Sequence, residues 1–84
     1  MMETENAIRT LDTLKPGEKA IIQEFVDQDD TVHYLTEMGL LIGTEIALIK
    51  FAPLGDPLEI RFRGFHLSIR RSVAKQIIVE KVPH

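Results

Sequence analysis

The stretch Leu58-Glu59-Ile60-Arg61-Phe62-Arg63-Gly64-Phe65-His66-Leu67-Ser68-Ile69-Arg70 carries two alternating runs joined at one glycine. Leu58, Ile60 and Phe62 alternate with Glu59, Arg61 and Arg63, a period of two that puts one face in a core and the other in water. Beyond Gly64, Phe65, Leu67 and Ile69 alternate in the same way with His66, Ser68 and Arg70, so the two runs read as a tight antiparallel hairpin. This periodicity assigns Phe62 and Phe65 to the interior and the arginines to the surface. Upstream, Pro53-Leu54-Gly55-Asp56-Pro57 holds two prolines without the donor that a ladder requires, and is a stiff connecting loop. Residues 45–51 form the strand before it.

Further toward the N-terminus, Leu41-Ile42-Gly43-Thr44 is a turn with Gly43 at the positive-φ position. It follows a helix of about two turns, capped by Asp30 or Thr31, whose inward stripe is Val32, Leu35 and Met38. Placing Gly39 just past its end puts Leu35 and Leu40 in the positions whose side chains touch in a Schellman motif. Residues 19–26 are β-formers with an imperfect alternation that suggests a bulge near Glu24, and Lys15-Pro16-Gly17 supplies a type II turn before them. At the other end Ser72 caps one short helical turn, and residues 77–82 return as a strand. The sum is a mainly β chain of about five strands with one short α-helix and one extra helical turn. A small barrel accommodates it, because closure removes exposed strand edges.

A chain of 84 residues supports one core, here expected over residues 11–82, with residues 1–10 as a flexible N-terminal segment. Its hydrophobic share of 44% against 27% charged residues excludes the composition of a disordered chain. There is no cysteine, hence no disulfide framework or thiolate metal cage. No secretory signal is read at residues 1–10, and no apolar run is long enough to span a bilayer, so a cytoplasmic protein without direct membrane insertion is expected. Residues 1–44 hold three basic and nine acidic side chains and residues 45–84 seven and four, which leaves a weakly basic face of Arg61, Arg63, Arg70, Arg71 and Lys75. With a pI near 5.5 the chain is not expected to bind nucleic acid.

The ordered set Leu14-Lys15-Pro16-Gly17, Leu35-Thr36-Glu37-Met38-Gly39-Leu40 with Gly43, Ala52-Pro53-Leu54-Gly55-Asp56-Pro57, and Leu67-Ser68-Ile69-Arg70 with Ala74, Ile77 and Val79 resembles the FeoA family. Each motif is turn and cap chemistry, and the specificity lies in their order and spacing. The resemblance implies an SH3-like barrel, a role in bacterial ferrous iron uptake, and a partnership with FeoB, a membrane transporter with a cytoplasmic GTPase domain. Members often carry proline before the second turn glycine, where this chain has Ile42. The family also includes domains fused behind metal-dependent repressors, so a stand-alone relative of those domains is an alternative, although nothing here resembles a helix-turn-helix.

Catalysis is excluded by what the chain lacks: no phosphate-binding GxxxxGK[ST] loop, no cysteine nucleophile, and no acid patterned to orient His66 against Ser68 or Ser72. No cofactor is implied. His33 and Glu37, at i and i+4 on the outer helix face, could hold a divalent ion weakly, which leaves a metal sensor or chaperone as a second reading. His66 and His84 read as surface histidines. The sharper reading is a protein-docking site at Leu40, Leu41, Pro53 and Leu54 with Arg61 and Arg63: two prolines stiffen the loop around Leu54, and two consecutive leucines after a helix cap cannot both point inward. Pro16, Gly17, Gly39, Gly43, Gly55, Asp56, Pro57 and Gly64 are structural turn and cap residues. Nothing in the sequence specifies an oligomeric state.

Overall fold

The computed structural model describes residues 8–82. Six antiparallel strands form one sheet in the order β1-β6-β2-β3-β4-β5: β1 is Ile8–Thr10, β2 Lys19–Phe25, β3 Glu45–Phe51, β4 Leu58–Phe62, β5 Phe65–Ile69 and β6 Ile77–Lys81. A 3₁₀ turn at Leu11–Thr13 follows β1, helix α1 spans Asp30–Glu37, and helix α2 is the single turn Arg71–Ala74. The curled sheet wraps a core that includes Ile22, Leu48, Leu58, Ile60, Ile77 and Val79, all fully buried.

The β4–β5 hairpin has the register that its alternation predicts, from Phe62 opposite Phe65 to Leu58 opposite Ile69. Arg63 (φ 52°) and Gly64 (φ 82°) are both left-handed, the two-residue turn whose twist matches that of the strands it joins. Phe65 departs from the expected interior position and is 63% exposed. It stands at the end of an edge strand, its ring tilted against that of Phe62 at a centroid distance of 6.2 Å.

The bulge expected near Glu24 is present as a register shift between Ile22 and Glu24 against β6. Lys15-Pro16-Gly17-Glu18 closes its turn with the Glu18 N–H donating to the Lys15 carbonyl at 2.9 Å. The cap of α1 lies one residue earlier than expected: Asp29 is extended, and its carboxylate accepts from the Val32 N–H at 3.0 Å. Met38, expected in the inward stripe, is the C-cap and is 40% exposed.

Three expectations are corrected. Residues 8–10, assigned to a flexible segment, form β1 and pair with Ile78, Val79 and Glu80 of β6, a strand too short to show a period in sequence; residues 1–7 and His84 lie outside the described residues. Among the described residues the sheet has six strands, one more than the about five expected, and no ladder joins β1 to β5 there. Finally, α2 is not capped by Ser72. Arg70 is its N-cap residue, and the Arg71 N–H donates to Oδ1 of Asp56 at 2.9 Å, a partner that sequence distance concealed.

Candidate protein-docking surfaces

Because β3 runs antiparallel to β4, with Ala47 opposite Arg61 and Phe51 opposite Leu58, the turn entering β3 and the loop leaving it lie at opposite ends of the sheet. Seven residues of strand separate them by roughly 20 Å. The candidate docking residues are therefore divided between two places.

The first place is the exit of α1. The Leu40 N–H donates to the Leu35 carbonyl at 3.1 Å and the Gly39 N–H to that of Thr36 at 3.0 Å, the two bonds of a Schellman motif. Gly39 makes this reversal possible at φ 102°, a conformation in which a Cβ is strained. The motif sends Leu40 inward to 0% exposure, so Leu40, expected at the docking site, is a core residue. Leu41 and Ile42 then emerge at 45% and 65% exposure. The segment beneath them is tied down: Gly43 N–H donates to Ile22 O at 2.8 Å, Ile22 N–H to Thr44 O at 3.0 Å, and Leu41 N–H to the buried Thr44 hydroxyl at 3.1 Å. Arg63 reaches this end, its Nη1 lying 3.8 Å from where a Cβ on Gly39 would stand. An open groove of about 400 Å³ runs alongside, lined by Gly43, Thr44, Arg61 and Arg63 among others. Arg61 and Arg63 are exposed, as expected, while Ile42 and Phe65 are apolar surface that the sequence reading did not assign to docking.

The second place is the loop 52–57. Pro53 is exposed and Leu54 is 96% exposed, so neither folds back on the barrel. Arg71 holds the loop: its Nε and Nη2 both donate to the Gly55 carbonyl, at 3.1 and 2.8 Å, and its guanidinium lies 5.0 Å from the Phe51 ring centroid. Ala52 N–H donates to Pro57 O at 2.9 Å and closes the loop base. Arg71 is consequently half-buried and leaves the basic face to which sequence assigned it.

The polar candidates are disposed differently. His33 Nε2 and Glu37 Oε2 meet at 3.1 Å on the outer face of α1, and among the described residues no group of three His, Cys, Asp or Glu side chains is placed to hold a metal ion. His66 Nδ1 lies 3.1 Å from Glu59 Oε2 on the solvent face of the hairpin. Phe62 is buried beneath Arg61 and Arg63, so the hairpin offers no paired aromatic platform for base stacking. Glu18 Oε2 meets Lys81 Nζ at 2.7 Å, and Oε1 accepts from the Lys15 N–H at 2.8 Å. The Lys81 contact, followed by the Lys15 bond, holds the Glu18 carboxyl below its ordinary pKa. Among the described residues no helix is long and apolar enough to cross a membrane.

The chain matches the FeoA domain family over residues 9–81. It is 32% identical over 72 residues to the Fe(2+) transport protein A/Fe(2+) transporter FeoB fusion protein of Porphyromonas gingivalis, covering 86% of this chain and 8% of that much longer protein. The solution structure of FeoA from Chlorobium tepidum superposes with a TM-score of 0.84 at 32% identity, covering 88% of this chain and 70% of that one. FeoA from Stenotrophomonas maltophilia, solved with zinc and described as an SH3 domain protein, gives 0.75 at 27% identity, covering 84% and 88%. The order of turns, the six-stranded SH3-like sheet and the matched span agree: the chain belongs to the FeoA family.

Proposed function

We propose that this protein is a cytoplasmic accessory or regulatory factor of FeoB-dependent ferrous iron uptake, and that it acts by binding FeoB rather than by catalysis. The observation that carries the reading is the presentation of Leu41, Ile42 and Leu54: bulky apolar side chains held in water by segments that are themselves tied down, to β2 beneath Leu41 and Ile42 and to Arg71 at the loop of Leu54. Such groups lose little conformational freedom on docking, so the free energy of burying them is retained as affinity. Arg61 and Arg63, which line one groove with Gly43 and Thr44 at the end where Leu41 and Ile42 emerge, give that end the mixture of apolar centre and arginine rim found in protein interfaces. The fusion of an FeoA part to an FeoB part in the Porphyromonas gingivalis protein supports association of the two.

Binding does work only if the partner is contacted better in one of its states. A pull-down of full-length FeoB by this protein, with and without a non-hydrolysable GTP analogue, tests both points. Capture that depends on nucleotide is expected; absence of capture in either condition defeats the proposal. The metal-sensor reading rests on the His33–Glu37 pair, which supplies two ligands where a specific site needs three or four. Calorimetry with Fe²⁺, Mn²⁺ and Zn²⁺ separates the two, since a docking factor shows no tight stoichiometric site.

A further inference from the structure

Strand β5 ends the sheet, and its outer side meets no strand among the described residues. A two-residue hairpin turn makes Phe62 and Phe65 a hydrogen-bonded pair, and the alternation of an antiparallel ladder then assigns Leu67 and Ile69 to β4 as well. His66 and Ser68 are left with N–H and C=O groups directed away from β4, at the free edge. The other end of the sheet, β1, is three residues long, whereas β5 is five residues of unbulged strand without proline or lysine. Short length, bulges, proline and lysine are among the protections of an edge, and β5 has none of these four.

Beside this edge lies a groove of about 260 Å³ between β5 and the helices, whose walls include Tyr34 and Leu35 of α1, Leu67 of β5 and Val73 of α2. Ser68 lines both this groove and the adjoining hollow at Asp56 and Pro57, which places it on the rim between them. Arg70 lines both as well, is exposed, and makes no ion pair among the described residues. The nearby Asp56 carboxylate is engaged by the Arg71 N–H at 2.9 Å. A strand edge next to an apolar trough, with a cation at one end, matches an extended peptide whose backbone pairs with the edge, whose alternate side chains enter the trough, and whose acidic residue meets the cation.

We infer that the free edge of β5 accepts an extended peptide segment as a seventh strand, with apolar side chains seated between β5 and α1 and a carboxylate on Arg70. This site adjoins the loop that carries Leu54 but uses none of Leu41, Ile42 and Leu54, and does not depend on the docking proposed through them. A second copy of the chain fits less well. In the antiparallel register of longest overlap, about Leu67, Arg70 of one copy lies next to the Arg63-Gly64 turn of the other, cation beside cation.

The probe is a blocked seven-residue peptide that alternates valine with threonine and carries aspartate at one end, titrated into the full chain and followed by amide NMR. The expected result is shifts concentrated at His66, Ser68, Thr31 and Tyr34, with slowed hydrogen exchange at the His66 and Ser68 amides. Two versions of the peptide, N-methylated at one or the other set of alternate amides, leave the protein untouched. One set must abolish binding and the other preserve it, because only one faces β5. Ser68→Pro removes the edge donor at an exposed position and should abolish binding, while Ser68→Ala retains it. Arg70→Glu should weaken the aspartate peptide about tenfold and favour one carrying lysine instead. Equal binding of both methylated peptides, no shifts at millimolar peptide, or a concentration-dependent dimer that Ser68→Pro dissociates would each overturn the inference.

Discussion

The two ends of the β3–β4 pair each present an exposed leucine, but they are held by different means. At the helix exit, Leu41 and Ile42 rest on a segment held by backbone groups: the Gly39 reversal and the Thr44 hydroxyl close by, and a backbone exchange with Ile22 of β2. At the loop 52–57, Leu54 rests on Arg71, a side chain 16 positions away from the Gly55 carbonyl it grips. One end is fixed mainly by backbone hydrogen bonds and by Leu40 driven into the core; the other adds to the loop's own bonds from Ala52 and Gly55 the grip of one guanidinium side chain. Rigid presentation of an apolar group therefore has two independent origins in a chain of 84 residues, and each can be removed without the other.

The largest effect expected is that of Leu40→Ala. It empties a fully buried position and should cost about 2–5 kcal/mol in urea unfolding. A loss below about 1 kcal/mol would mean that the helix exit is not anchored through the core. Arg71→Met removes both bonds to Gly55 and the contact with Phe51, with a smaller expected loss of about 1–2 kcal/mol. Its signature is spatial: the Gly55 amide should exchange faster while the Gly43 amide is unchanged. Equal acceleration at both would erase the distinction between the two ends.

The Glu18–Lys81 pair joins the start of β2 to the end of β6 and is largely but not wholly shielded from solvent, so its worth is below about 1 kcal/mol. Its sign with pH follows from the lowered Glu18 pKa. The contribution is complete above the ordinary value of 4.5 and is lost as pH falls through the depressed native value, where the unfolded chain already holds the proton. Lys81→Met should therefore narrow the stability difference between pH 7 and acid relative to the unaltered chain. An unchanged difference would show that the pair is not formed in solution. Ile42→Asp, finally, should move stability by no more than about 0.5 kcal/mol, since 65% of that residue already lies in water.

What sequence disclosed depends on how far apart the partners of each contact lie along the chain. The hairpin register, the bulge in β2, the type II turn and the Schellman motif are local features, written in alternation or in glycine and proline placement, and each is found where expected. The turns at Gly17, Gly39, Gly43, Gly55 and Gly64 all take positive φ. Strand β1 was not legible because three residues carry no period, and the Asp56 cap of α2 was not legible because its donor is 15 residues away. The candidate docking set was legible in part. Proline stiffening and the argument that two leucines cannot both turn inward led to Leu41 and Leu54, but which of Leu40 and Leu41 is buried was decided by the geometry of the cap. Phe65 misled because alternation assigns a face and says nothing of where the core ends along a strand.

Whether apolar groups held at the surface serve recognition and not folding is decided by the affinity of full-length FeoB in detergent for the unaltered chain, Ile42→Asp and Leu54→Asp, measured alongside their melting temperatures. Unchanged melting in both variants and affinity reduced at least tenfold in one or both are expected. Lowered melting temperatures, or affinities equal to that of the unaltered chain, would contradict the proposed role.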